Sequence, residues 1–442
     1  MPPPAPAPPA PPPARDPMAP LRRRTTAVLV VGQILGGFGV AIGVALAALL
    51  AAEVSGSAGA AGLAVTASVT GTAVLSLPLA ALMARHGRRP GLTCGYLIGA
   101  VGGLIVVVSA TRGWFVPLLA GMLLFGAGSS ANLQARFAAA DLAPAARRGR
   151  AIATVMWAGT LGAVLGPNLA GPAGRSIGAI DGRIPETAGP FVWASGIFLL
   201  AAATTHLLLR PDPLLTARSL DAGETAGAGT EPGVPPRTGK STPVTGERAL
   251  RRGWDAVISS PTARTALAGV AVVHTAMITI MVMTPVDLAH HGAGIELIGL
   301  VISGHIAGMY AFSPVMGRLA DRWGGLPLLM GSLGTVAVAA ALAGTADGRH
   351  TQSAVALFLL GLGWSAGLVA GSALVTDAVP IHTRPAAQGL SDLTMNGCAA
   401  LGGAVAGPIV SSAGYGTLNA VAAALLLPVA VLALRAAVRR TA

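Results

Sequence analysis

The sequence predicts an all-α membrane protein whose twelve transmembrane helices form two pseudo-symmetric six-helix bundles, and three observations support this prediction. The chain of 442 residues is 53% hydrophobic and only 10% charged, whereas soluble domains carry about 25% charged residues. Twelve apolar segments are long enough to cross a bilayer, which takes about 20 helical residues. A polar segment divides these spans six and six, and short motifs recur in both halves in the same order.

The spans follow one another along the chain, separated by short polar turns. They are rich in Gly, Ala, Val and Leu and poor in aromatic residues, a composition that allows close helix packing in lipid. Residues 25–209 are expected to form the N-terminal bundle and residues 265–438 the C-terminal bundle. We place the spans at 26–50, 61–83, 91–110, 114–138, 151–173, 189–209, 265–287, 294–316, 327–344, 352–374, 387–411 and 416–436.

Two segments break the apolar pattern. Residues 1–24 are proline-rich and predict a disordered cytoplasmic tail, in which Met18 is an alternative translation start. Residues 210–264 combine Gly, Pro, Thr and mixed charges, and predict a flexible cytoplasmic linker with a short amphipathic helix near Glu247–Ile258. The first apolar segment is longer than a cleaved signal peptide, so we interpret it as a span.

The net charge of +12 is distributed by topology. With both termini on one side, 25 of the 29 Lys and Arg fall on that side. This positive-inside bias predicts a multi-pass protein of the cytoplasmic membrane with both termini in the cytoplasm. The charge therefore orients the chain in the bilayer and does not indicate a nucleic-acid partner. We expect a monomer that contacts lipid and a small solute or metal ion, with no enzyme activity and no resident cofactor.

A loop motif occurs once in each half, between two apolar runs. The second-half copy is Gly317-Arg-Leu-Ala-Asp-Arg-Trp-Gly-Gly325, and the partial first-half copy is Ala84-Arg-His-Gly-Arg-Arg-Pro90. A second pair of motifs, Asp141-Leu-Ala-Pro144 and Asp377-Ala-Val-Pro380, follows in the same order. Such long-range copies indicate a duplicated membrane bundle, which is typical of transporters.

These motifs resemble the signature of the major facilitator superfamily, Gly-x-x-x-Asp-Arg-x-Gly-Arg-Arg/Lys, and the similarity covers nearly all of residues 25–438. The first-half copy has Ala80 and Ala84 where the family has Gly and Asp. The resemblance implies two six-helix halves around a central cavity that alternates in access by rocking. The family residues retained here are Gly317, Asp321, Arg322 and Gly324 in the second half and Arg85, Gly87, Arg88 and Arg89 in the first.

We interpret the loop motifs as a cytoplasmic gate. Asp321 is expected to face the N-terminus of a neighbouring helix, where a negative charge is favoured by about 0.3–1 kcal/mol. Arg322 and Arg318 are expected to pair with Asp377. In the other half, the three basic residues of the motif are expected to reach Asp141; they are Arg85, Arg88 and Arg89. The alternative is that these charges only fix the topology.

Histidines and methionines in spans seven and eight are the clearest substrate candidates. Met277 and Met281 are one helical turn apart, as are His305 and Met309, so each pair shares a helix face. Thioether and imidazole groups are suitable ligands for Cu(I). Because Met281 and Met309 would differ in depth by about 12 Å, a relay of small ligand stations is expected rather than one shell. The alternative is that the methionines fill irregular helix contacts and the histidines bond to neighbouring groups.

The pattern Met-x-x-x-Met in span seven with His-x-x-x-Met in span eight resembles the bacterial copper-importing subgroup of the superfamily. This resemblance implies copper uptake through Met277, Met281, His305 and Met309, with His274 as a further substrate contact. Two other functions stay open. One is export of an amphipathic drug-like compound, favoured by the Gly166-Pro167 motif in span five, although Met122 stands where drug–proton antiporters carry an arginine. The other is a membrane sensor or assembly factor that transports nothing.

Overall fold

The computed structural model describes residues 17–57, 61–180, 182–228 and 246–441, and in these ranges its regular elements are helices. The predicted disordered tail lies largely outside the described residues, but its last part is helical because α1 begins at Ala19. The helices are α1 (Ala19–Ala45), α2 (Ala47–Ser55), α3 (Ala61–His86), α4 (Arg88–Arg112), α5 (Phe115–Asp141), α6 (Arg148–Ile180), α7 (Gly189–Leu208), α8 (Pro213–Ala228), α9 (Gly246–Ser259), α10 (Pro261–His290), α11 (Ile295–Tyr310), α12 (Ser313–Trp323), α13 (Gly325–Gly344), α14 (His350–Ala378) and α15 (Arg384–Thr441).

The described helices provide twelve membrane spans. Eleven helical stretches are long and apolar enough to span a bilayer, and the last of them runs from Arg384 to Arg435. Gly414, with φ 85° and ψ 166°, interrupts that last stretch, so α15 contains two spans. Three other stretches join consecutive helices: α1 with α2, α7 with the first part of α8, and α11 with α12. The predicted fold class is therefore confirmed.

Each half has its own apolar core. In the first half, α1 packs on α6 and α7, while α4 packs on α5 and α7. Its centre holds Phe125, whose ring lies 5.5 Å from that of Phe191 and 5.1 Å from that of Phe198. In the second half α14 is central and contacts α10, α11 and α13. The second core also takes in Ala140, Ile152, Ala153 and Met156 at the boundary with the first half, so each bundle has its own core and the two meet there.

Small residues explain how closely the helices approach. A Cβ atom on Gly71 of α3 would overlap the carbonyl oxygen of Leu123 on α5, and one on Gly126 of α5 would overlap that of Ser68. The two backbones thus touch because each helix has a glycine at the point of contact. Van der Waals contact of this kind drives helix association in lipid, where apolar side chains gain nothing by leaving solvent.

One end of the bundle, which we call the arginine-rich face, is formed by the turns at Gly87 and Gly324 and by the helix ends at Asp141 and Asp377. The predicted linker contributes two helices to the chain here. One is α8, which directly follows span six and contacts α5. The other is α9, which coincides with the amphipathic helix expected near Glu247–Ile258 and contacts α3 and α15.

Candidate gate and central site

The loop motif makes the same turn in both halves. Gly87 has φ 93° and Gly324 has φ 87°, and the next helix begins immediately after each. This left-handed conformation is accessible to glycine at little cost, which accounts for its presence in both copies.

Asp321 lies at the N-terminus of α6, the position expected for it from the sequence. Its carboxylate accepts backbone N–H bonds from Gly149 at 2.9 Å and Arg150 at 3.3 Å. The Arg150 guanidinium also pairs with it at 3.0 Å. The first N–H groups of a helix have no intrahelical acceptor, so the carboxylate satisfies two of them and meets the positive end of the helix dipole. The contact joins the two halves.

In the first half, Arg88 is the basic residue of the motif that meets Asp141. The Nε–Oδ2 distance is 2.7 Å, and both side chains are fully buried. The guanidinium also donates to Gln134 at 3.4 Å and to Gln388 of α15, so it reaches the other half. Arg85 is exposed, and Arg89 donates its backbone N–H to a different acid.

Asp377 has a different partner from the expected ones. It pairs with Arg148 at the start of α6, across the boundary between the halves. Arg318 instead donates to the carbonyl of Pro314 on its own helix at 3.4 Å, and Arg322 is exposed. The expected partners of Asp377 were in its own half, but the N-terminus of α6, which belongs to the first half, lies opposite Asp377 and supplies Arg148.

A buried ion pair lies deeper between the halves. Arg136 of α5 donates to Asp392 of α15 at 2.6 Å, and both side chains are at most 2% exposed. Gln134 donates to the other carboxylate oxygen at 2.8 Å, and Arg136 also donates to Ser372 at 3.1 Å. The four side chains form one network with Arg88 through Gln134. An unpaired charge in this place would be costly, so the network holds the halves together.

Two serines make matching bonds where the halves cross. Ser76 of α3 donates to the carbonyl of Gly389 at 3.2 Å, and Ser313 of α12 donates to that of Ala153 at 3.1 Å. The serines are 237 residues apart (313 − 76) and the acceptors 236 apart (389 − 153), so the bonds are related by the duplication. The bonds and ion pairs between the halves described above all lie in the part of the bundle next to the arginine-rich face, which is therefore closed.

A polar and aromatic cluster occupies the centre between the halves. The Trp364 indole donates to His274 Nδ1 at 2.7 Å, and the Tyr310 ring lies edge-on to Trp364 at 5.6 Å. From the first half, Gln33 approaches the same place: both it and Tyr310 lie within 4 Å of where a Cβ on Gly159 would stand. The carbonyl oxygen of the Gln33 side chain is buried and has no hydrogen-bond partner among the described residues.

The two histidines present different ring nitrogens. Because His274 accepts at Nδ1, its neutral form carries the proton on Nε2. His305 is fully buried and makes a 2.8 Å bond from Nδ1 to the carbonyl of Leu357, which leaves a lone pair on Nε2. That Nε2 atom has no partner within the part of the chain that the structure describes. His305 can therefore accept a hydrogen bond or a metal ion, whereas His274 can donate.

The predicted metal ligands lie on two helices that share α14 as neighbour. The helices α10 and α11 contact each other far less than each contacts α14. The backbone of α11 at His305 and Met309 lies against α14, because a Cβ on Gly361 would meet both, and the His305 ring bonds to Leu357 of α14. Met277 is buried and belongs to the same apolar core as Met309, while Met281 is partly buried against it. The structure thus keeps His305 and Met309 one turn apart on α11, and Met277 and Met281 one turn apart on α10.

Residues 29–286 and 266–442 match the family model described as the Major Facilitator Superfamily. The chain belongs to this superfamily. Two relatives from Bacillus subtilis (strain 168) support the assignment: the uncharacterized MFS-type transporter YdeG is 36% identical over 93% of this chain and 92% of its own length, and YddS is 34% identical over 93% and 91%. A riboflavin transporter from Brucella anthropi, RfnT, is 28% identical over 90% and 92%.

Solved structures show the same major facilitator fold. The human organic anion transporter MFSD10 superposes with a TM-score of 0.69 at 17% identity, covering 93% of this chain and 99% of its own. The proton:xylose symporter XylE gives 0.68 at 15% identity, covering 94% and 95%. Together with the family match, this fold identifies the chain as a multi-pass membrane transporter of the major facilitator type.

The sequence did not pair Arg136 with Asp392, nor did it identify the amide partners of this ion pair between the halves. The available signal was a charged residue inside an otherwise apolar span, which is rare and usually functional. Hydropathy could not predict which residue pairs with Arg136, because Asp392 is 256 residues further along the chain.

Proposed function

We propose that this major facilitator moves a small solute across the cytoplasmic membrane by alternating access, as a secondary transporter. The arginine-rich face is the cytoplasmic side in this proposal, which agrees with the positive-inside bias. The structure then corresponds to the state closed toward the cytoplasm.

The observation that carries the proposal is the buried Arg136–Asp392 pair between the halves. Rocking of the halves must separate these side chains, and water entering from the cytoplasmic side would then solvate both charges. The two charges that pair in the closed state are therefore tolerated apart in the open state, because water replaces the lost partner of each. The contact between Asp321 and the start of α6 can open in the same way, since the carboxylate and the freed N–H groups would both reach water.

The substrate class that we propose is a small planar organic solute with hydrogen-bonding groups. The central cluster offers two aromatic surfaces, Tyr310 and Trp364, for stacking. It also offers the His274 Nε2 donor and the unpartnered Gln33 oxygen. The name of the riboflavin transporter RfnT points to a solute of this chemistry, a heteroaromatic ring with amide-like groups. One donor and one acceptor beside flat rings suit such a molecule.

The test is transport by purified protein in liposomes, with radiolabelled riboflavin as the probe. Wild type should exchange the label across the membrane, and Trp364→Ala should lose at least about ten-fold in rate because it removes both a stacking surface and the His274 partner. Trp254→Ala is the matched control, since Trp254 is exposed on α9. Equal rates for Trp364→Ala and wild type would refute the proposed site. Flux into and out of vesicles of known orientation distinguishes uptake from the export of amphipathic compounds.

Copper uptake is the second candidate, and the free Nε2 lone pair of His305 favours it. An unpartnered buried nitrogen one turn from the thioether of Met309 is a two-ligand station of the kind that Cu(I) accepts. In this proposal Met277 and Met281 form a separate station on α10, and copper passes between the two as substrate. His274 would not ligate, because its Nδ1 atom is already bonded to Trp364.

Radioactive copper uptake into cells tests this candidate. His305→Ala and Met309→Ala should each abolish most of the uptake that wild type adds to a strain without the protein. Met330→Ala on α13, outside the predicted site, is the control for loss of a thioether. Equal uptake by all of these strains would exclude copper, and absence of flux for any solute in liposomes would favour the sensor or assembly-factor alternative.

A further inference from the structure

The helix α8 ties together two segments that belong to opposite halves. Its Arg218 side chain donates from Nη1 to the carbonyl oxygen of Ala84 at 2.9 Å and from Nη2 to that of His382 at 3.3 Å. Ala84 lies in the last turn of α3, and His382 lies directly before α15. One guanidinium therefore bridges the boundary that must open during transport.

This bridge stands where the first-half copy of the loop motif has lost its acid. Asp321 of the second half and Ala84 of the first are equivalent, since they are 237 residues apart (321 − 84), the same offset as between the two serines. Asp321 binds the N–H groups of Gly149 and Arg150. The residue equivalent to Gly149, offset by 236 (385 − 149), is Pro385, which has no N–H to donate. The acid and one of its donors are thus missing together.

The two groups that Arg218 meets at this place are carbonyl acceptors, so the connection between them needs a donor. The carbonyl of Ala84 lies in the last turn of a helix, where a cation is favoured by the helix dipole. A guanidinium has five N–H donors in a rigid fork and can serve two carbonyls at once. In one half a carboxylate meets N–H groups, and in the other an arginine meets carbonyl groups.

The helix that carries Arg218 is itself fixed to the first half. Asp212 caps α8 by accepting from Leu214 and Leu215 at 3.0 and 3.2 Å, and its other oxygen accepts from the backbone of Arg89 at 2.7 Å. One carboxylate thus serves the start of both α8 and α4. Leu214 is fully buried, so α8 is anchored by packing as well.

We propose that α8 is a strap that closes the first-half gate, and that Arg218 is the positioning residue that joins α3 to the segment before α15 in place of the missing carboxylate. This proposal rests on alternating access. The two gates then differ in chemistry but have the same effect, because each holds one helix end of the first half against one of the second.

The experiment measures the gate itself, with spin labels at His86 and Trp323. Both residues are exposed, and they occupy equivalent positions in the two turns (323 − 86 = 237). The background carries Cys94→Ala and Cys398→Ala, and the protein is studied full-length in lipid nanodiscs. Double electron–electron resonance then gives the populations of the short, closed distance and the long, open one.

Arg218→Ala should lower the closed-to-open ratio at least about ten-fold, the change expected when a charged donor loses its bonds. Arg218→Lys should give a smaller shift, because one ammonium cannot reach both carbonyls in the same geometry. Arg251→Ala removes an exposed charge from the neighbouring α9 and should leave the ratio unchanged. Asp212→Ala should act in the same direction as Arg218→Ala, and the double variant should shift the ratio no further than the larger single change.

An unchanged ratio in Arg218→Ala, while Asp321→Asn opens the gate, would overturn the strap and leave alternating access intact. Additive shifts of Asp212→Ala and Arg218→Ala would also overturn it, since the two residues would then not act through one docked helix. A single closed distance in every variant, Asp321→Asn included, would instead refute alternating access and the strap with it. A purely structural role of Arg218 would lower the thermal midpoint without changing the ratio, and that result too contradicts the proposal.

Discussion

At the scale of single residues, closure of the proposed gate depends on which charges are buried and on which residues they pair with. Arg136 and Asp392 are almost completely buried and meet at 2.6 Å, whereas Arg85 and Arg322 of the loop motifs are exposed. The sequence favoured the motif arginines instead, because they match a known signature. Exposed ion pairs stabilise a contact only slightly, whereas removing one partner of a buried pair is strongly destabilising.

The buried pair makes the first prediction. Asp392→Asn leaves the Arg136 charge unpaired and should cost about 3 kcal/mol or more of stability in the closed state. Arg136→Gln combined with Asp392→Asn should recover most of that loss, because no unpaired charge remains. Thermal unfolding of purified protein in detergent measures both. Asp347→Asn, in an exposed turn, is the control for loss of a carboxylate, and a double variant no more stable than Asp392→Asn would contradict this role of the pair.

At the scale of helices, the proposed gate includes two close helix–helix crossings that are built in opposite ways. In the second half the glycine is on the loop helix, where a Cβ on Gly317 would lie 2.5 Å from the methyl group of Ala153. In the first half the alanine is on the loop helix, where Ala80 lies against Gly389. Each crossing has room for one methyl group and not for two.

An exchange of the small residues tests this second prediction. Gly389→Ala should place two methyl groups at the first-half crossing and shift the His86–Trp323 distance toward the open population. Ala80→Gly in the same chain should restore the closed population, because one methyl group is again present. Gly397→Ala is the control on the same helix, as a Cβ there meets nothing within 4 Å. If the double variant stays as open as Gly389→Ala, the crossing does not set the closed state.

The third prediction, also at the scale of helices, concerns Asp321. Asp321→Asn keeps the shape of the side chain but removes its negative charge and turns one acceptor into a donor facing the N–H groups of α6. The closed state should lose stability relative to the open state, and transport should slow, while insertion into the membrane stays intact. Flux in liposomes and the amount of protein in the membrane fraction measure the two effects, and undiminished flux would refute the role of Asp321.

At the scale of the whole molecule, hydropathy and repeated motifs were sufficient for the fold. The apolar segments predicted the spans, and Gly414 shows why twelve could be counted where one helix runs on through Arg384–Arg435. The partners across the gate could not be obtained in this way. Pairs such as Arg148 with Asp377 depend on how two bundles approach each other, and no pattern within either bundle records that approach.

Part of the gate was nevertheless accessible in principle. The offsets of 236 and 237 residues relate Ser76 to Ser313 and Gly389 to Ala153, so a complete internal alignment would have suggested the matching bonds once one of them was known. The role of α8 was not accessible, because Arg218 belongs to a linker whose composition predicts flexibility. Only its contacts with Ala84 and His382 reveal a function.

Alternating access requires that the arginine-rich face and the opposite face open in turn. Two label pairs in the cysteine-free protein measure this: His86 with Trp323 on the arginine-rich face, and Ser57 with His290 on the other, all of them exposed. On introducing Asp321→Asn, we predict that the first distance lengthens while the second shortens, in the same molecules. Two distances that lengthen together, or that do not change in any variant of the gate, would contradict alternating access.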